Sequence, residues 1–261
     1  MNNQPNALRI ELAAGRCVVG AAVFSWSPNV IDAAVLAGLD YVRIDTEHSW
    51  RKDDSLEHLI RAAIMGGIVP IVRVDGDDPY LVRKALEIGA GGIIVPNICS
   101  VAQAEAVVQA AKFPPLGDRG YSRNCWSAGW GAIPAAEWVE WSNREPMIGI
   151  MIENVAAMTS IEDIVATAGI DFVLFGPADF SMSLGLVSPD TQDERVQAAI
   201  AKTAATTRSA GKHFSLGVGT NPNVIEKYLP LGVDMLELGN DLDIIREGWG
   251  RAKAVVESLT L

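Results

Sequence analysis

Eight short apolar runs, each followed by a helix-like stretch, constrain this chain more than any other feature. The runs cover residues 18–24, 41–44, 69–74, 92–95, 147–152, 172–175, 213–218 and 235–238. Near-continuous apolar runs of this length read as strands covered on both faces, as in a parallel sheet. Between them lie Ala-rich or amphipathic segments at 29–37, 54–65, 79–88, 101–112, 159–168, 192–210 and 223–231. Gly38, Gly66-Gly67 and Gly89 close three of these, as expected where a helix ends in a left-handed residue. Strand and helix alternating eight times predict an α/β fold, a closed (β/α)8 TIM barrel. The 261 residues suit one such barrel of ~250 residues, so 1–261 reads as a single domain. An open doubly wound sheet is the competing architecture. No Gly-x-Gly-x-x-Gly follows the first run, which disfavours nicotinamide binding.

With 49% hydrophobic and 20% charged residues, the chain can build a large core and is not of a disordered composition. The formal net charge is −11 and no Lys/Arg run occurs, which argues against a nucleic-acid partner. Cys17, Cys99 and Cys125 are odd in number and lack metal-finger spacing, which fits a reducing compartment. No basic stretch leading into an apolar one opens the chain, and no apolar run approaches the ~20 residues of a membrane span. A cytoplasmic protein without a membrane partner is the expectation. The connection 113–146 is long and carries Pro114-Pro115, Arg119-Gly120-Tyr121-Ser122-Arg123, and Trp126, Trp130, Trp138 and Trp141. Long loops in compact domains tend to be functional. The competing reading is that these aromatics pack a helix onto the barrel or fill a subunit interface.

Barrel enzymes of this kind carry their chemistry at the C-terminal ends of the strands. Those ends read Asp45-Thr46-Glu47-His48, Arg73-Val74-Asp75, Pro96-Asn97, Glu153-Asn154, Gly176-Pro177-Ala178-Asp179, Gly217-Val218-Gly219 and Gly239-Asn240-Asp241. Charged residues closing apolar strands cost desolvation energy unless a partner or metal compensates them. Glu153 and Asp179 stand at adjacent strand ends and are the metal candidates, for Mg²⁺ or Mn²⁺ with open positions left for a substrate. Such an ion would chelate a 2-oxo acid, polarise its ketone and stabilise the enolate. The bland alternative is that each carboxylate caps a helix or pairs with an arginine. His48 could act as acid and base with Asp45 orienting its ring, or be structural. Arg73 could bind the oxo oxygen and steady enolate charge, or form a salt bridge to Asp45 or Asp75. Gly176 to Asp179 could offer backbone N–H groups to a carboxylate if a short helix begins there. No lysine follows a strand at this rim, so neither Schiff-base chemistry nor a pyridoxal cofactor is expected.

These residues resemble the metal-dependent class II pyruvate aldolases of the HpcH/HpaI family. The resemblance spans about Gly20 to Ala254, with further anchors in the run from Gly89 to Pro96 and in Pro114-Pro115-Leu116-Gly117-Asp118-Arg119-Gly120. It implies that Glu153 and Asp179 ligate Mg²⁺, Mn²⁺ or Co²⁺, and that His48 with Asp45 is the acid/base dyad. It further implies that Arg73 contacts the oxo group, and that Gly176, Ala178 and Asp179 hold the pyruvate carboxylate. It also implies a hexamer built as a trimer of dimers, with the C-terminal helix exchanged between neighbours. Two positions depart from the pattern: Met151 stands where Gln is common, and Glu87 where Asp is common. Glu87 and Tyr121 are candidate supporting residues. The expected activity is reversible cleavage of a 4-hydroxy-2-oxo acid to pyruvate and an aldehyde. Alternatives are oxaloacetate decarboxylation, citramalyl- or malyl-type cleavage, and a non-catalytic barrel that binds oxo acids.

Overall fold

The computed structural model describes residues 4–49, 55–76 and 78–259. It is a closed barrel whose strands follow one another in chain order, β1 beside β2 and so on round to β8 beside β1, every pair parallel. The strands are β1 (Val18–Val23), β2 (Tyr41–Asp45), β3 (Val69–Arg73), β4 (Gly92–Val95), β5 (Met147–Ile152), β6 (Phe172–Phe175), β7 (His213–Gly217) and β8 (Met235–Asn240). Each falls on one of the eight apolar runs, because burial on both faces demands apolar side chains at successive positions. The open doubly wound sheet is thereby ruled out.

Eleven α-helices are assigned among the described residues: α1 (Ala7–Ala13), α2 (Pro28–Leu36), α3 (Ser55–Gly66), α4 (Pro79–Glu87), α5 (Val101–Ala111), α6 (Ala135–Arg144), α7 (Ile161–Ala166), α8 (Pro177–Ser183), α9 (Glu194–Ser209), α10 (Pro222–Tyr228) and α11 (Asp241–Leu259). Proline opens α2, α4, α8 and α10, where its missing N–H would have no helical partner. None of the described helices is long and apolar enough to cross a membrane.

Two apolar layers result. Ile44, Val72, Ile93, Ile150, Val173 and their neighbours point outward and pack under the helices. Val18, Tyr41, Ile71, Ile94, Met147, Phe172 and Met235 point inward and fill the barrel, joined by Leu8 and Leu12 of α1. α1, which sequence patterning did not predict, closes the N-terminal end of the barrel: the Asn6 amide donates to the carbonyls of Gly91 (2.7 Å) and Glu145 (3.2 Å). Gly149 is required by the interior, since a Cβ there would lie 2.2 Å from the Phe172 ring.

The connection 113–146 folds onto the outside as α6 and a short 3₁₀ segment. Trp138 is fully buried, edge-on to Phe113 (5.0 Å) and Tyr121 (5.7 Å), and Trp126 lies against Gly89. Packing explains these tryptophans, whereas Trp130 stays exposed.

Charges also run through the barrel. Arg43 of β2 grips Glu237 of β8 with two hydrogen bonds (2.7 and 2.8 Å) and donates to Asp45 (3.0 Å). All three residues are buried. Removing one member of a buried pair leaves an uncompensated charge, at a cost of about 3–5 kcal/mol. Arg43→Met should therefore lower unfolding stability by that amount in urea titration; a loss below about 1 kcal/mol would show that the chain is not coupled in this way.

Candidate active site

The strand ends of β2, β3, β5 and β6 converge at the C-terminal mouth. Asp45 is fully buried and shared between two guanidinium groups: Oδ2 accepts from Arg43 and lies 2.5 Å from Nη2 of Arg73. Its Oδ1 accepts from the backbone N–H of His48 at 2.8 Å. The expectation that Asp45 orients the imidazole is therefore corrected. Asp45 shapes the turn that carries His48: the two guanidinium groups share Oδ2 and the His48 backbone N–H takes Oδ1, and neither contact reaches the ring. The carboxylate nearest the ring is that of Glu47, 3.9 Å from Nε2, and the His48 side chain is half exposed at the mouth.

Glu47 belongs to the site and was not singled out as a candidate from sequence. Its Oε2 lies 3.1 Å from Nη1 of Arg73, in an ion pair aligned too poorly to be a hydrogen bond. A signal was present: Asp45 and Glu47 are two apart at a strand end, the spacing that returns side chains to one face. Arg73 is held by both carboxylates, contacts the Met151 sulfur at 3.8 Å, and leaves its Nε without a hydrogen-bond partner. Its salt bridge to Asp45 is thus real, while Asp75 is not its partner in these contacts.

Glu153 follows β5 and is 3% exposed. Its Oε1 accepts from the N–H of Asn97 (2.7 Å), which adopts a left-handed conformation with φ 56° after β4. On its other side lies Gly176, where a Cβ would come within 2.8 Å of Oε2, so only glycine leaves the carboxylate room. Burial pushes the Glu153 carboxyl up to about 7, and the nearby Asp179 and Glu47 carboxylates add to the rise against the pull of Asn97 and Arg73. Burial also raises Glu47, with Arg73 and His48 opposing and Asp45 and Asp179 adding. Asp179 stands in the first turn of α8, exposed toward the mouth. Gly176 is the residue preceding that helix and Ala178 lies within its first turn.

The charges of Asp179 and Glu47 both act on the buried Glu153 carboxyl, and a divalent cation held by Glu153 and Asp179 would remove the repulsion that raises it. Among the described residues no three His, Cys, Asp or Glu side chains are grouped so as to hold a metal ion. Two carboxylates with open positions suit a hard ion that keeps waters or substrate oxygens.

Glu87 and Tyr121 lie elsewhere. Glu87 ends α4, at the opposite end of that helix from the mouth, beside Arg83 (3.7 Å) and Lys84 (3.5 Å). Tyr121 packs on Phe113 and Trp138 in the outer connection. Within one chain neither joins this cluster.

Residues 22–247 match the HpcH/HpaI aldolase/citrate lyase family. The chain belongs to this family. A hydroxypyruvate/pyruvate aldolase of Pseudomonas aeruginosa is 30% identical, covering 95% of this chain and 93% of its own. A 2-keto-3-deoxy-L-rhamnonate aldolase of Klebsiella pneumoniae is 29% identical, covering 97% and 94%. Among solved structures, a citrate synthase superposes with a TM-score of 0.88 at 31% identity, covering 98% and 99% of the two chains. An HpcH/HpaI aldolase from Desulfitobacterium hafniense gives 0.88 at 28%, covering 96% of each.

The raised Glu153 carboxyl predicts a pH dependence. Between its ordinary value of 4.5 and about 7, folded protein keeps a proton that unfolded protein releases. Its contribution to metal-free stability is therefore largest below about 4.5 and declines as pH rises through 7. In chelator, wild type should lose more stability than Glu153→Gln between pH 5 and pH 7.5; equal losses in urea titrations would refute the shift.

Proposed function

We propose that this protein is a metal-dependent carbon–carbon lyase that reversibly cleaves a 4-hydroxy-2-oxo acid to pyruvate, or a related 2-oxo acid, and an aldehyde. The observation that carries the reading is the buried, poorly compensated Glu153, set against Gly176 and raised further by the charges of Asp179 and Glu47. Family membership and the aldolase relatives support it.

Glu153 and Asp179 would hold Mg²⁺, Mn²⁺ or Co²⁺. When bound, the ion supplies Lewis acidity at the ketone and steadies the enolate. Ala178 and Asp179 would receive the substrate carboxylate on backbone N–H groups; the expectation that Gly176 does so too is corrected, because its N–H already donates to the Ile152 carbonyl (3.0 Å). His48 at the mouth would take the proton of the 4-hydroxyl as the C3–C4 bond breaks and return a proton to C3 of the departing enolate. Arg73, pinned by Asp45 and Glu47, would present fixed positive charge to the oxo end without reorganising. Met151 gives that guanidinium a thioether wall where an amide would have offered a hydrogen bond.

The protein would act as a homo-oligomer, a hexamer by family resemblance. α11 supports association, because Trp249 and Leu259 on it are more than three-quarters exposed and Asp241 is its one buried residue among those described. The likeness to a citrate synthase favours a second reading, condensation of an oxo-acid enolate with an acceptor.

Pyruvate release from a panel of 4-hydroxy-2-oxo acids should require Mg²⁺, Mn²⁺ or Co²⁺ and cease in chelator. Outer partners of a bound metal already cost 10–100-fold when lost, so Glu153→Ala should lower kcat/KM by at least about 100-fold. Full activity in excess chelator would defeat the metal mechanism. Condensation without measurable cleavage would favour the synthase.

A further inference from the structure

Trp26 follows β1 at the mouth and is one of three non-glycine residues with positive φ among those described, at 54°. A bulky residue rarely adopts this conformation, so surrounding contacts must hold it there. Its side chain is 4% exposed. The indole Nε1 lies 2.8 Å from the carbonyl oxygen of Asp45 and 2.6 Å from the Ser49 hydroxyl, and the same hydroxyl donates to the Asp45 carbonyl. One indole N–H thus ties together both ends of the turn that carries Glu47 and His48.

The remaining attachments of the turn lie on other sides. The Thr46 N–H (3.0 Å) and hydroxyl (2.6 Å) both donate to the Arg73 carbonyl on β3. The His48 N–H donates inward to Asp45. The register between β1 and β2 runs to Val23 opposite Ile44, so the Asp45 carbonyl lies beyond it. The Trp26 indole supplies a donor from the β1 side where the strand pairing has ended.

We propose that Trp26 is a positioning residue for the lyase reaction: its indole N–H clamps the 45–49 turn and so fixes Glu47 against Arg73 and His48 at the mouth. This rests on the roles assigned above to Glu47 and His48. An aromatic ring without the N–H would fill the same volume but leave the Asp45 carbonyl and Ser49 to each other, freeing the turn from β1. Displacements of about 1 Å in a catalytic constellation can cost on the order of 100-fold in rate.

The test uses full-length, metal-loaded enzyme and two replacements of Trp26: phenylalanine, and β-(3-benzothienyl)alanine, which exchanges only the indole N–H for sulfur. Both should lower kcat by roughly tenfold or more, with KM for the oxo acid changed far less. Exchange of the pyruvate methyl protons with deuterated solvent should fall in parallel. In a background carrying Glu47→Gln and His48→Ala together the same replacements should cost little more, because residues acting through one unit are not additive. Unchanged kcat in the benzothienyl variant would overturn the proposal even if Trp26→Phe failed to fold. So would a full tenfold loss persisting in the Glu47→Gln, His48→Ala background, which would mean that Trp26 acts elsewhere. If His48→Ala alone leaves kcat unchanged, the function assigned to His48 fails, and with it the basis for this one; a kcat loss on Trp26 replacement would then reflect general damage.

Discussion

The mouth of the barrel depends on one connected run of buried charge. Glu237 on β8 holds Arg43 on β2, Arg43 holds Asp45, Asp45 holds Arg73 on β3, and Arg73 holds Glu47. Each link is close enough to offset part of the desolvation of its neighbours, and none would be tolerable in this interior alone. The run contains three acids and two guanidinium groups, so it ends with negative charge in excess. That excess lies toward Glu153 and Asp179, where it helps to raise the Glu153 carboxyl. An interior that looks like structural ballast thus contributes to the electrostatics of the candidate site.

Backbone geometry does the complementary work. Asn97 is left-handed and directs its N–H onto Glu153, Gly176 omits the side chain that would collide with the same carboxylate, and Trp26 is left-handed where its indole reaches the next strand end. These departures from ordinary strand and helix conformation gather at the mouth, as expected where a scaffold holds reactive groups in fixed places.

Much of this was legible in the amino-acid sequence. The eight strands were readable because both-sided burial leaves an unbroken apolar signature, and Glu153, Asp179, Arg73 and Asp45 stood out as charges ending such runs. The α1 plug is absent from the sequence reading, and α6 and the short α8 enter it as alternatives without bounds, since a seven-residue helix or one inside an irregular connection has too few turns to show a period. The partnership of Arg43 with Glu237 joins residues 194 apart and needs the barrel to be closed before it can be seen. The surroundings of Asp45 escape the sequence for a related reason: proximity to His48 suggests a contact with the ring, whereas two arginines from the barrel share one carboxylate oxygen and the His48 backbone N–H takes the other.

The seal formed by α1 has a consequence for traffic. With Leu8 and Leu12 packed beneath the inward layer and Asn6 tied to the residues that lead into β4 and β5, the interior is filled and closed at its N-terminal end, and the site at the mouth is approached from outside on the opposite side. Whatever enters must leave by the way it came. Two molecules occupying it together therefore form a queue, and the one seated deeper departs second.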